Sequence, residues 1–265
     1  MLNRLRSLPR EVWLVGLISL INDGASDLIY PLLPLYLTSV LMAGPRALGL
    51  IEGLAEATSS LLKLLSGALS DRSGRSRPWI VTGYGMAGLA RPLIALAASW
   101  PVVLVLRFTD RVGKGLRSSP RDALLAAVAP PDQRGLAFGL HRAMDNAGAV
   151  IGPLVAAGLL ALQVPLRQII LWSLVPGLVC TLLALALRDP APSRTAAAAV
   201  RLPEPMSWRY RALPLPLQRF LPVVALFTLG NSSNLFLLLR ARELGMPPAQ
   251  IPLVWAAISA VAMVG

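Results

Sequence analysis

The stretch RFTDRVGKGLRSSPRDALLAAVAPPDQRGLAFGLHRAMDNAGAVIGP, residues 107–153, decides the fold. Two apolar helical runs meet in it around a short polar turn at 130–134. Both runs carry charges that a lipid-facing helix would not tolerate. The first has Arg107, Asp110, Arg111 and Lys114, and the second has His141, Arg142 and Asp145. Ionisable groups at membrane depth are costly, face a bundle interior or a watery cavity, and by default mark a functional site.

Composition places the stretch in a membrane. The chain has 265 residues, of which 55% are hydrophobic and only 14% charged, with a mean hydropathy of +0.63. That is too apolar for a soluble domain of this length. The net charge of +12 does not point to nucleic acid, because the arginines sit in short segments between apolar runs. The lone Cys180 lies in an apolar run, and His141 is the one histidine, so neither a disulfide framework nor a Cys- or His-based metal site is expected. No cofactor is expected either. The N-terminus has a basic start and an apolar run without a small-residue cleavage site, and reads as an uncleaved first span.

A span needs roughly 20 mostly apolar residues. The chain is therefore expected to be all-α, with spans over 11–40 (bent or broken near Pro31 and Pro34), 47–70, 79–98, 101–128, 134–160 and 168–187. Residues 188–220, rich in arginine and proline, read as a soluble linker. A seventh span is expected over 221–239 and an eighth from about 250. This divides the chain into a six-helix bundle (1–187), a linker (188–220) and the first two helices of a second bundle (221–265). The abrupt end in the eighth span reads as truncation, with the rest of the second bundle beyond residue 265.

Arginines fix the expected orientation. Arg4, Arg6, Arg10, Arg72, Arg75, Arg77, Arg134 and those of the linker fall on one side, against Arg46, Arg167, Arg240 and Arg242 on the other. The N-terminus and linker are thus expected to be cytoplasmic, in the cell membrane. A six-helix bundle, a cytoplasmic linker and further helices suggest a transporter of two pseudo-repeated halves.

Two motifs carry more. Between spans 2 and 3 stand Gly67, Asp71, Arg72, Gly74, Arg75 and Arg77, in GALSDRSGRSR. The spacing is similar to the loop signature of the major facilitator superfamily, with Ser76 replacing one basic residue. In span 5, Gly139, Gly148, Gly152 and Pro153 resemble that family's antiporter motif, although its final glycine pair is Ala156-Ala157 here. Small residues let helices approach closely, and a proline bends its helix. The resemblance covers the whole chain and is nearest to bacterial multidrug-efflux-type members. It implies alternating access and a gating latch at Asp71, Arg72 and Arg75, whose partner would lie beyond residue 265.

The remaining polar residues of the spans are candidates for coupling and binding. In span 1, Asp23 and Asp27 lie four apart on one face, with Asn22 and Tyr30 nearby. Asp23 is roughly 18 Å into its helix, a depth suited to an acid that carries a proton. Asp23, Asp27, Arg107 and Asp110 are the proton-coupling candidates. An alternative pairs the span 1 acids with arginines of span 4 in a purely structural role. Arg107, Arg111, Lys114, Ser118 and Arg121 form one face of span 4, where Arg107 or Arg111 can pair with Asp110 internally. Substrate-binding candidates are Asn22, Tyr30, Arg111, Lys114, His141, Arg142, Asp145, Asn231 and Asn234. His141 and Asp145, four apart, are placed to hydrogen-bond. Glu52 and Glu56 of span 2 read as edge or salt-bridge residues. Gly113-Lys114-Gly115 is no phosphate loop, lacking a following Ser or Thr and a preceding strand.

The expected function is a proton-coupled exporter of a small molecule. An alternative is a transporter of an organic or phosphate-bearing anion held by the basic face of span 4. An integral-membrane lipid-modifying enzyme is a distant third, since arginines interleaved with Asp71, Asp110 and Asp122 would repel a divalent cation. No enzymatic activity is expected.

Overall fold

The computed structural model describes residues 5, 7–189, 210–230 and 233–264, and among them there are helices and no strand. The first span is two helices, α1 (Arg10–Ile29) and α2 (Leu32–Ser39). The interruption falls at Tyr30–Pro31, because Pro31 has no N–H and its ring crowds the carbonyl four residues back. Span 2 is α3 (Pro45–Ser73), which starts on a proline and ends at Gly74, whose φ of 61° suits the left-handed cap. Span 3 is α4 (Arg77–Leu93), ending in a 3-10 turn at Ile94–Leu96 after Pro92. Span 4 is α5 (Trp100–Val128) and span 5 is α6 (Arg134–Ala161). Span 6 is split into α7 (Leu166–Trp172) and α8 (Leu174–Leu185), with Pro176 removing the hydrogen bond that would bridge them.

Two expectations need correction. The segment 188–220 is not linker throughout: a 3-10 turn forms at Tyr210–Ala212, and α9 (Leu215–Leu229) starts behind Pro214 with Pro216 in its first turn. Span 7 is not continuous over 221–239. It stops at Leu229 and resumes as α10 (Asn234–Glu243), where the Ser233 hydroxyl accepts from the Leu235 N–H. Short polar side chains compete with the backbone for such bonds and favour a break. Asn231, a binding candidate, lies outside the described residues, as do Arg4, Arg6, Arg194, Arg201 and Arg209. The last described helix is α11 (Ile251–Val264).

The helices pack α1 on α6 and α8, α3 on α5, α4 on α5 and α8, and α11 on α6. Apolar side chains point outward as well as inward. Leu50, Leu54, Leu61, Leu65 and Leu69 run along the exposed face of α3, and Val175, Leu178 and Leu182 along that of α8. Such exposed apolar rows belong against lipid. Among the described residues, four helical segments are long and apolar enough to cross a membrane: Arg10–Ser39, Arg77–Leu96, Pro131–Ala161 and Leu166–Leu185. The helices α3 and α5 have the length, 29 residues each, but not that composition, because charged residues interrupt them: Glu52, Glu56 and Lys63 in α3, and Arg107, Asp110, Arg111 and Lys114 in α5.

The interior has three layers. One apolar cluster joins Leu33, Tyr36, Leu48, Ile51, Ile94, Val103 and Ile169 with Leu235 and Leu238 of α10. A second joins Val12, Val15, Ile80, Tyr84, Leu124, Ala137 and Cys180. Between them, on α1, α3, α4, α5 and α6, lie the buried Asn22, Glu52, Arg91, Arg107, Asp110, Arg111, Arg117 and His141. A belt of charge thus lies between two apolar clusters.

Candidate functional site

Asp110 sits at the centre of the belt. Its Oδ1 accepts from Arg91 Nε at 2.9 Å and its Oδ2 from Arg107 Nη1 at 3.3 Å. Arg107 donates again to Glu52 Oε1, from Nη2 at 2.7 Å and Nε at 3.3 Å. Arg91 Nη1 reaches the side-chain and backbone oxygens of Asn22 at 3.0 and 3.2 Å. Two arginines and two acids, each at most 4% exposed at the side chain, thereby tie α1, α3, α4 and α5 together. Buried charges persist only when paired and hydrogen-bonded in this way. Arg107 and Asp110, expected to take part in coupling, are locked in a closed knot. Arg91 was not among the candidates; a lone arginine in an otherwise apolar span was the signal that could have found it.

One turn along α5 the pairing loosens. Arg111 Nη2 stands 3.5 Å from Glu56 Oε1, whose side chain is 57% exposed. The Arg111 Nε is buried without a hydrogen-bond partner. Lys114 is exposed and makes no ion pair among the described residues. Glu52 and Glu56 face a cavity of about 580 Å³ that is also lined by Tyr30, Phe236, Ser233 and Asn234.

The acids of span 1 have no arginine partner within ion-pair distance among the described residues. Asp23 Oδ1 accepts from Asn22 Nδ2 at 2.7 Å, and its carboxyl meets that of Asp145 on α6 within hydrogen-bonding reach. Asp27 Oδ1 accepts from Trp255 Nε1 of α11 at 3.2 Å. The Trp255 ring lies 4.5 Å from that of Tyr30. Asp145 is 3.8 Å from Arg142, whose side chain is 70% exposed.

His141 does not bond Asp145. It faces α1, where its Nε2 is 2.9 Å from Ser19 Oγ. Arg121 Nη1 donates to the same hydroxyl at 3.4 Å and Arg121 Nη2 to Asp122 at 3.2 Å. Arg117 stacks over Tyr84 at 4.6 Å and bonds the Gly83 carbonyl.

The glycines of span 5 divide. A Cβ at Gly148 would overlap the Leu20 carbonyl oxygen, and one at Gly152 the Gly24 oxygen, whereas Gly139 meets nothing within 4 Å. Gly139 therefore does not serve the close packing expected of it; the α1–α6 seam runs through Gly148 and Gly152. Pro153 is buried beside them inside an unbroken α6.

At the end of α3 and in the turn after it, Asp71, Arg72 and Arg75 are exposed. A Cβ at Gly67 would come 3.2 Å from Ser119, so α3 approaches α5 closely there. Arg77 is exposed too but is tied to α8: its Nη2 donates to the Leu185 carbonyl at 2.7 Å. Asp189 accepts the N–H groups of Ser76 and Arg77 at 3.0 and 2.9 Å, capping α4. Asp189 lay in the expected linker and had no sequence signal. Among the described residues no three His, Cys, Asp or Glu side chains gather as a metal site.

Long helices with lipid-facing apolar surfaces, a charged interior and an adjoining cavity define a multi-pass membrane protein built like a transporter. The Major Facilitator Superfamily profile matches residues 15–265, and the chain belongs to that superfamily. It is 35% identical over 242 residues to an uncharacterised MFS-type transporter of Methanocaldococcus jannaschii, covering 90% of this chain and 58% of that protein. It is 33% identical over 132 residues to the multidrug resistance protein MdtH of Photorhabdus laumondii, covering 50% of this chain and 33% of that one. The crystal structure of a D-xylose–proton symporter superposes with a TM-score of 0.65 at 14% identity, over 96% of this chain and 66% of the symporter. The chain thus spans about three fifths of the length of its Methanocaldococcus relative.

Proposed function

We propose that this chain forms the first bundle, linker and start of the second bundle of a proton-coupled secondary transporter that exports a small molecule by alternating access. The N-terminus and the segment after α8 are cytoplasmic in this reading, following the arginine bias, and Asp71, Arg72 and Arg75 latch against the second bundle. The observation that carries it is the contrast between two sets of acids. Asp110 and Glu52 are held by arginines. Asp23 and Asp27 lie within span 1 and are held by neutral donors. Acids without a fixed cation are free to exchange protons; the arginine-bound ones hold the bundle together. The name of the Photorhabdus relative, a multidrug resistance protein, supports export. The test is a dye-efflux assay with full-length protein in cells lacking the gene. Energy-dependent efflux lost on collapsing the pH gradient supports the reading; efflux indifferent to it contradicts coupling.

A second reading takes an anionic substrate, carried by Arg111 and Lys114. The unpartnered Arg111 Nε and the unpaired Lys114 favour it. Arg107 does not belong to that set, being consumed by Glu52 and Asp110. If Arg111→Ala and Lys114→Ala leave efflux of carboxyfluorescein intact, this reading fails.

A further inference from the structure

The α1–α6 seam is a contact of backbones. A Cβ at Gly148 would overlap the Leu20 carbonyl oxygen and stand 2.9 Å from the Gly24 nitrogen, and one at Gly152 would lie 2.8 Å from the Leu28 nitrogen. Asp23 precedes Gly24, and Asp145 lies one helical turn before Gly148. The seam therefore forces their carboxyls together from opposite helices, within hydrogen-bonding reach. Two ionised carboxylates are acceptors only, so a hydrogen bond between them needs a proton on one. Like charges at this separation cannot both ionise cheaply.

We propose that Asp23 and Asp145 are one proton-binding site, holding a single proton between them in this conformation. The proposal deepens the proton-coupled reading by naming where the proton sits. On release, one carboxylic acid and one carboxylate become two carboxylates, and the proton passes to water at the partly exposed Asp145 side chain. The surrounding groups fit both states. On α1, Asn22 donates to Asp23 and Asp27 is engaged by Trp255 of α11. On α5, Arg117 is held by Gly83 and Tyr84 and Arg121 by Ser19 and Asp122, leaving Lys114 without an ion pair. On α6, His141 is held by Ser19 and Arg142 stands 3.8 Å from Asp145; on α8, the buried Cys180 faces the same region. Lys114 and Arg142 are the cations available to take over the carboxylates when the proton leaves. That the proton belongs to the pair, and to neither acid alone, is the content of the proposal.

Infrared spectroscopy of purified full-length protein at neutral pH, in water and deuterated water, tests it. The expected result is a protonated-carboxyl band, shifted by deuterium and lost in both Asp23→Asn and Asp145→Asn, while Asp27→Asn retains it. Size-exclusion profiles of the variants establish that they fold, and Asp145→Glu, which keeps the carboxyl, is expected to restore the band. No such band in the wild type, or a band that survives either single substitution, overturns the proposal. A band that behaves as expected, in a protein whose transport ignores the pH gradient, would leave the pair standing and refute the coupling.

Discussion

Arg107 donates to Glu52 across 2.7 Å, from α5 to α3, and neither side chain is more than 4% exposed. With Asp110 and Arg91, this pair makes a charge-balanced set of two arginines and two acids. Removing one partner of a buried pair costs about 3–5 kcal/mol, because the other is left uncompensated. Glu52→Gln is thus expected to lower the thermal unfolding temperature of full-length protein markedly. Glu56→Gln, at the exposed and longer contact to Arg111, is expected to change it little. Equal effects from the two would contradict the closed knot.

The span 5 glycines give a second contrast. Gly148→Ala and Gly152→Ala push a methyl into the backbone of α1, a strain of about 1–3 kcal/mol. Gly139→Ala enters open space and is expected to be neutral or slightly stabilising, as alanine is the better helix former. Unfolding of the three variants, followed by tryptophan fluorescence, separates these outcomes.

The Trp255–Asp27 bond ties α1 to α11 near the cavity. Trp255→Phe keeps a ring against Tyr30 but removes the donor. A hydrogen bond to a charged group is worth about 1.5–3 kcal/mol, so the cavity should open more readily. In a cysteine-free background carrying Ser233→Cys, a small water-soluble thiol reagent is expected to react several-fold faster once Trp255 is replaced. An unchanged rate would mean that the bond does not hold the cavity shut.

Asp189 caps α4 from beyond the end of α8. Losing such a cap costs about 0.5–2 kcal/mol. Asp189→Ala is expected to produce a modest loss of stability with transport retained, whereas Asp71→Ala, at an exposed residue in the last turn of α3, is expected to impair transport with stability retained. Measuring unfolding and dye efflux on both variants checks the exchange of roles.

The spans of the first bundle were legible because apolar length and charge placement are local properties. The charged face of α5 was legible for the same reason, since Arg107, Arg111 and Lys114 repeat at helical spacing. Pairing was not, because it depends on which faces meet. His141 was expected to find Asp145 on its own helix and instead faces Ser19 on α1. Arg91 looked isolated until Asn22 and Asp110 were brought to it. Gly139, Gly148 and Gly152 are the same residue in sequence and differ only in whether another backbone stands opposite. The break between α9 and α10 was signalled by the polar run at Asn231–Asn234, but an apolar count across 221–239 outweighs so short an interruption.

The central claim is that proton movement through the span 1 acids drives transport. It is tested most directly with full-length protein in proteoliposomes, with an acidic lumen and two dyes, cationic ethidium and anionic carboxyfluorescein, in parallel. The account predicts that dye accumulation alkalinises the lumen, and that Asp23→Asn abolishes both while protein remains folded in the membrane. Accumulation that proceeds without lumenal alkalinisation, or that survives Asp23→Asn with its pH dependence intact, would contradict it.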